Sequence, residues 1–256
     1  MPPVIDVDDI EWRGDDRLRI GDTDFRVVPA GRSTSTSRQF TLLKNRDMVE
    51  AYIDLAHSLK PRTIVELGIF EGGSTALFEL LFKPTRLVAF ELADTRVSAL
   101  DEFIRRRGAA DRVRPYYGVN QADADTILPI VDDNFTSTLD LVVDDASHDL
   151  ELTHRSFNLL FPLVRPNGVY LIEDWAWGHV PFARQRRGPS LAKLVLHLVL
   201  SLPYCRDLIA DITVNKFWAV VRRGCGRVPL PFDISDHVSD RGRQLLSVND
   251  EDPRLA

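Results

Sequence analysis

"TIVELGIFEGGST" (63–75) runs from a β-branched stretch through a glycine-rich turn into an apolar helical stretch. Thr, Ile and Val favour extended backbone. Glycines at 68, 72 and 73 allow a tight turn and a close approach of backbone to a ligand. The same alternation continues downstream. Strand candidates occur at 86–92, 112–118, 139–145 and 168–174, with helical stretches at 75–82, 96–107, 124–131 and 152–163. Short apolar strands separated by helices build a parallel sheet covered on both faces, with right-handed crossovers. Near the end, "IADITV" and "KFWAVVRRG" (216–224) read as an antiparallel pair joined by a turn at Asn215, closing one edge. The five inner candidates and this pair predict an α/β fold: a Rossmann-like, doubly wound, mostly parallel seven-stranded sheet with an antiparallel edge strand.

Upstream, "IEWRG", "RLRIG" and "DFRVVP" are short strands split by Gly and Asp turns, and "GRSTSTSR" (31–38) reads as a polar linker. Leu42, Val49, Tyr52, Ile53, Ala56 and Leu59 recur at helical spacing until Pro61 stops the helix. The expected organisation is a small β appendage with linker over 1–40, a cofactor-binding domain over 41–228, and a polar, turn-rich tail or lid over 229–256.

Composition excludes some classes. A net charge of −6 argues against a nucleic-acid binder, and the basic runs at 105–107 and 184–187 read as solvated helix ends or as anion sites. Two cysteines form neither a disulfide framework nor a metal motif and fit a reducing, cytoplasmic setting. The acidic N-terminus "MPPVIDVDDI" does not read as a signal peptide. "LAKLVLHLVLSL" (191–202) is too short to span a bilayer and reads as a helix against a core or a partner subunit. That helix and the N-terminal strands suggest a homodimer.

In a doubly wound sheet, ligands bind beyond the carboxyl ends of the strands. The first strand brings Glu66 and Gly68 there, and Ser74 or Thr75 is available to cap the following helix. The next strand ends at Glu91, where an acid holds a ribose diol. The Gly-x-x-x-Gly-Gly spacing differs from the dinucleotide pattern and argues against NAD. An acid within the loop strand favours a cationic nucleoside. S-adenosylmethionine fits, with its ribose on Glu91, its ammonium and sulfonium near Glu66 and its carboxylate on loop amides. Asn120, Gln121 and Asp123 follow the third strand where an adenine edge would lie, although turn chemistry also accounts for them.

"LDLVVDDASH" (139–148) and "VYLIEDWAW" (169–177) end in carboxylates, and a single intervening helix makes their strands neighbours. Asp144, Asp145, Glu173 and Asp174 would repel one another, and a divalent cation removes that conflict. An all-oxygen set suits Mg2+. His148, three residues past Asp145, is placed as a general base. Asp144 serves the cofactor, the metal or only the turn. Trp175 and Trp177 open a loop suited to an acceptor, since tryptophan faces pack on sugar rings.

Taken together, "VELGIFEGGST", "VNQAD", "VVDDASH" and "LIEDW" resemble the Mg2+-dependent class I sugar O-methyltransferases of actinobacteria, a group that includes macrolide-glycoside 2''-O-methyltransferases. The resemblance covers about residues 60–180 and extends to enzymes of mycobacterial methylmannose polysaccharides. It implies that Asp145, Glu173 and Asp174 hold Mg2+, that His148 takes the hydroxyl proton, and that Glu91 and Gln121 hold the nucleoside. Asn120 departs from the family, where many relatives carry an acid. The resulting expectation is an S-adenosylmethionine- and Mg2+-dependent O-methyltransferase acting on a sugar hydroxyl of a glycoside or polysaccharide. Methylation of catechol-like phenols is the alternative. A hydroxylase-like relative would need two histidines and a carboxylate, and only His148 is placed to serve.

Overall fold

A computed structural model describes residues 10–28, 35–179, 189–205 and 207–247, and among the described residues there are eleven strands and seven α-helices. The acidic start, the basic run 184–187, most of the acceptor loop after His179 and the last nine residues lie outside the described residues. The residues group into two compact units, 1–120 with 126–136 and 121–125 with 137–256.

The first unit opens with a four-stranded sheet, β1 (Ile10–Trp12), β2 (Arg17–Ile20), β3 (Thr23–Val27) and β4 (Gln39–Leu42), in that order. The first three strands pair antiparallel and β4 runs parallel to β3. Alternation buries Leu18, Ile20, Phe25 and Val27 on one face. The strand β4 was not foreseen. Leu42, expected to start a helix, lies in β4, and helix α1 (Arg46–Leu59) begins only after Asn45, whose side chain accepts from the Met48 amide. The linker expected over 31–38 therefore leads into a strand.

Then follow β5 (Thr63–Leu67), α2 (Gly73–Phe82), β6 (Arg86–Glu91), α3 (Ser98–Arg106) and β7 (Val113–Tyr117), with parallel β5–β6 and β6–β7 pairing. Helix α4 (Ala124–Asn134) comes next. The 105–107 arginines are no open anion site: Arg105 pairs with Glu102, Arg106 with Asp22, and Arg107 with the buried Glu79. Burying Glu79 is tolerable because Arg112 pairs with it as well.

The second unit holds β8 (Leu139–Asp144), α5 (Leu150–Leu160), β9 (Val164–Glu173), α6 (Ala192–Ser201), β10 (Ile209–Val214), β11 (Trp218–Arg223) and α7 (Asp240–Ser247). Strands β8 and β9 are parallel neighbours, while β11 pairs antiparallel with both β9 and β10. Asn215 makes the turn between β10 and β11: its side-chain oxygen accepts from the Phe217 and Trp218 amides. The large sheet has the order β10-β11-β9-β8-β5-β6-β7, the mostly parallel seven-stranded sheet with an antiparallel edge that the sequence predicts. Residues 229–247 are more than a polar tail, because Phe232, Ile234, Val238 and Leu246 are buried. No described helix is long and apolar enough to cross a membrane.

Candidate active site

In the first unit the turn after β5 is built on left-handed backbone at Gly68, Phe70 and Gly72. Gly72 has a packing reason too, since a Cβ there would stand 2.8 Å from Leu100 Cβ. At Gly73 a Cβ would meet the Thr41 carbonyl oxygen at 2.5 Å. Gly72 is the N-cap of α2, with no side-chain cap. The expectation that Ser74 or Thr75 caps this helix is therefore corrected. Both lie within the first turn, and the Thr75 hydroxyl is turned back to donate to Glu66 Oε2 at 2.7 Å. Glu66 itself is fully buried.

Glu91, at the end of β6, folds its carboxylate over this turn. Oε2 accepts from the Ile69 and Phe70 amides at 3.0 and 2.8 Å, and Oε1 accepts from the Ala93 amide at 3.0 Å. Gly68 N–H donates to the Phe90 carbonyl at 2.9 Å. The acid expected to hold a ribose thus also fixes the glycine turn. Asn120 is exposed just before the first unit gives way to the second.

In the second unit the ends of β8 and β9 bring Asp145, His148 and Asp174 together, each offering a ligand atom within 4.8 Å of the others. His148 Nε2 lies 3.8 Å from Asp145 Oδ1 and 3.8 Å from Asp174 Oδ2. His148 and Asp174 both adopt left-handed backbone, with φ of 52° for each. Such strain costs on the order of 1–3 kcal/mol for a non-glycine residue and clusters at working sites. Asp174 is held there by its amide, which donates to the Phe217 carbonyl at 2.9 Å. Glu173 is buried at the end of β9, opposite Trp218, and stands outside the trio.

Trp177 packs its ring on His148, with centroids 4.9 Å apart. Trp175 donates its indole N–H to the Asn215 carbonyl at 2.8 Å, which ties its loop to the β10–β11 turn. Gln121 and Asp144, expected at the cofactor, are buried and bonded to each other at 3.2 Å. Burial pushes the Asp144 carboxyl up to about 6, against the lowering effect of hydroxyls from Ser156 and Tyr170, and the charge of Asp145 adds to the rise. Burial also raises the Tyr170 phenol well above its ordinary value. Ser156 and Tyr170 escaped sequence reasoning. The signal for Ser156 is a polar residue inside the buried stripe Thr153, Ser156, Phe157 and Leu160 of α5.

Residues 65–175, which include both loop ends, match the family model of a methyltransferase domain. Among relatives, it is 30% identical over 118 residues to the mycinamicin VI 2''-O-methyltransferase of Micromonospora griseorubida, covering 43% of this chain and 26% of the relative. It is 31% identical over 128 residues to a 2-methoxy-rhamnosyl-tetracenomycin-C 3'-O-methyltransferase of Streptomyces olivaceus, covering 48% and 30%. An O-methyltransferase of Aspergillus hancockii is 28% identical over 124 residues, covering 48% and 46%. The matches thus span less than half the length of these relatives.

Among solved structures, the MycE methyltransferase in complex with Mg, SAH and mycinamycin VI superposes with a TM-score of 0.54 at 24% identity, covering 73% of this chain and 51% of that one. TomG of Streptomyces achromogenes, in complex with SAM, gives 0.53 at 20% identity, covering 70% and 80%. At these identities the superpositions establish the fold, and the relatives bear out the resemblance to sugar O-methyltransferases read from the motifs.

Proposed function

We propose that the chain transfers a methyl group from S-adenosylmethionine to a hydroxyl of a sugar, on a glycoside or polysaccharide, with the help of Mg2+. The convergence of Asp145, His148 and Asp174 at the ends of two neighbouring parallel strands carries this reading. Two carboxylates brought together around one histidine suit a hard divalent cation, which takes oxygen ligands. Asp145 and Asp174 would hold the ion, with Glu173 the next acid along the strand. When bound, the ion would act as a Lewis acid that eases ionisation of the acceptor hydroxyl.

The remaining work falls to the chain itself. Glu91 and the backbone of the 68–73 turn suit the ribose and carboxylate of the methyl donor, with Glu66, Ser74 and Asn120 bordering the cofactor. Gln121 and Asp144, expected in the same set, are both buried and bonded to each other. His148 Nε2 accepts the hydroxyl proton as the oxygen–carbon bond forms and the carbon–sulfur bond breaks, leaving S-adenosylhomocysteine. A general base of this kind contributes on the order of 10²–10⁴-fold. Trp177 restrains the His148 ring, and Trp175 borders the acceptor. The free Cys205 and Cys225 fit a cytoplasmic setting, and the exposed Leu196 and Val199 of α6 fit a homodimer.

Incubation with labelled S-adenosylmethionine and a panel of glycosides and catechols tests the acceptor class. Label on a glycoside, lost about 100-fold or more in His148→Ala, is the expected result. Label on catechols alone would replace the sugar with a phenol.

A further inference from the structure

We propose that Gln121 is a positioning residue whose carboxamide clamps the 145–148 loop to the buried carboxylate of Asp144, with Ser156 and Tyr170 locking the clamp. The inference rests on reading Asp145, His148 and Asp174 as a divalent-cation site. Four residues build the clamp: Gln121 just after β7, Asp144 closing β8, Ser156 on α5 and Tyr170 on β9. They are 6%, 2%, 0% and 0% exposed.

Every bond of the clamp has a direction that the side-chain chemistry dictates. Gln121 Nε2 donates to Asp144 Oδ1 and to Ser156 Oγ, both at 3.2 Å. Its Oε1 faces the other way and accepts the Ser147 amide at 3.1 Å. On the far oxygen of Asp144, Ser156 Oγ donates at 2.6 Å and Tyr170 OH at 2.8 Å. A buried carboxylate is tolerated only where donors surround it, and here three side chains supply them.

The consequence lies in what the clamp encloses. Asp145 and Ala146 sit between two fixed points, Asp144 and the Ser147 amide. His148 follows directly, in left-handed backbone. Tyr170 lies on the strand that ends next to Asp174, so its hydroxyl ties that strand to the end of β8. A carboxamide suits the Gln121 position because it donates and accepts at once. A glutamate there would set a second carboxylate against Asp144. Gln121 therefore acts through Asp145 and His148. Groups that orient metal ligands are typically worth 10–100-fold in metal affinity.

The test uses the full chain with Gln121→Met, which keeps the length and removes both polar functions, and Tyr170→Phe, which removes one hydroxyl. Three readouts apply: Mn2+ binding by the paramagnetic resonance of the free ion, S-adenosylhomocysteine binding by calorimetry, and hydrogen exchange of amides 145–149 without any ligand. Gln121→Met is expected to weaken Mn2+ binding about tenfold and to speed exchange of the loop, with less than a ~2-fold change in nucleoside affinity. Tyr170→Phe moves the same readouts by a smaller factor, about threefold, and decides the matter if Gln121→Met fails to fold. Folded variants with unchanged exchange and unchanged Mn2+ affinity would overturn the clamp. So would a fall confined to nucleoside affinity, which would make Gln121 a cofactor contact. Faster loop exchange in a chain whose wild type binds no Mn2+ would support the clamp and sink the metal reading instead.

Discussion

The turn after β5 and the loop after β8 are each pinned by one side chain from elsewhere, and the two pins differ in charge. Over the first, the Glu91 carboxylate accepts the Ile69 and Phe70 amides. Over the second, the neutral Gln121 carboxamide accepts the Ser147 amide while donating to Asp144. Where the pin is charged, its bonds are of the kind that hydroxyls of an arriving nucleoside can also make, so under the proposed function pin and ligand contact would be one residue. Where the loop must present carboxylates of its own, a charged pin would repel them and a carboxamide is the compatible choice. In the proposed function the first loop would bind through its pin, and the second would present Asp145 and His148.

The sharpest way to break this contrast is to remove a presented acid. Asp174→Asn or Asp145→Asn is expected to lower Mn2+ affinity by about 100-fold or more, the upper end of what supporting residues cost. Nucleoside binding, followed by calorimetry, should stay within a factor of about two. Loss of both together would merge the two loops into one function. Next in size, Glu91→Gln should weaken S-adenosylhomocysteine by about tenfold, since hydrogen bonds to a charged acceptor are worth ~1.5–3 kcal/mol, and should leave Mn2+ affinity in place.

Gly73→Ala probes the first loop without touching polar groups. A methyl 2.5 Å from the Thr41 carbonyl must displace backbone, at ~1–3 kcal/mol of stability in a denaturant titration. An unchanged midpoint would show that β4 yields freely.

The smallest effect concerns α5, the helix behind the second loop. His154 on α5 meets His197 on α6 edge to face. Burial holds the His197 imidazole below its ordinary 6.5, and the charges of His154 and Lys193 add to this. With the folded value depressed, the unfolded chain binds the proton first, so stability is full above pH 6.5 and declines as pH falls from there toward the lowered value. His197→Phe should flatten that decline. An identical acid limb in the variant would assign it to other groups.

Much of this was legible in the residues. The central strands are mostly apolar runs between turn signals, which is how strands buried on both faces read. The pairing of β8 with β9 followed from a connection only one helix long, and with it the meeting of Asp145 with Asp174. The strand β4 was hidden because Leu42 also fits the helical stripe of α1, and only the Asn45 cap separates them. The order of acids was harder. Glu173 and Asp174 are adjacent in sequence, and the left-handed backbone at Asp174 that directs its side chain toward His148 is a tertiary feature, fixed by the Phe217 carbonyl of the β10–β11 turn. The tail over 229–247 looked polar because its buried residues, Phe232, Ile234 and Val238, are spaced singly among turn formers.

The central claim is that methyl transfer depends on an ion held by the acids of the second loop. It is tested most directly by measuring labelled-methyl transfer from S-adenosylmethionine to a glycoside acceptor, first in EDTA and then as Mg2+ is returned stepwise. The account predicts that transfer disappears in EDTA and recovers along a saturable curve, shifted to much higher Mg2+ in Asp174→Asn. Full transfer in EDTA, or the same recovery curve for wild type and variant, would contradict it.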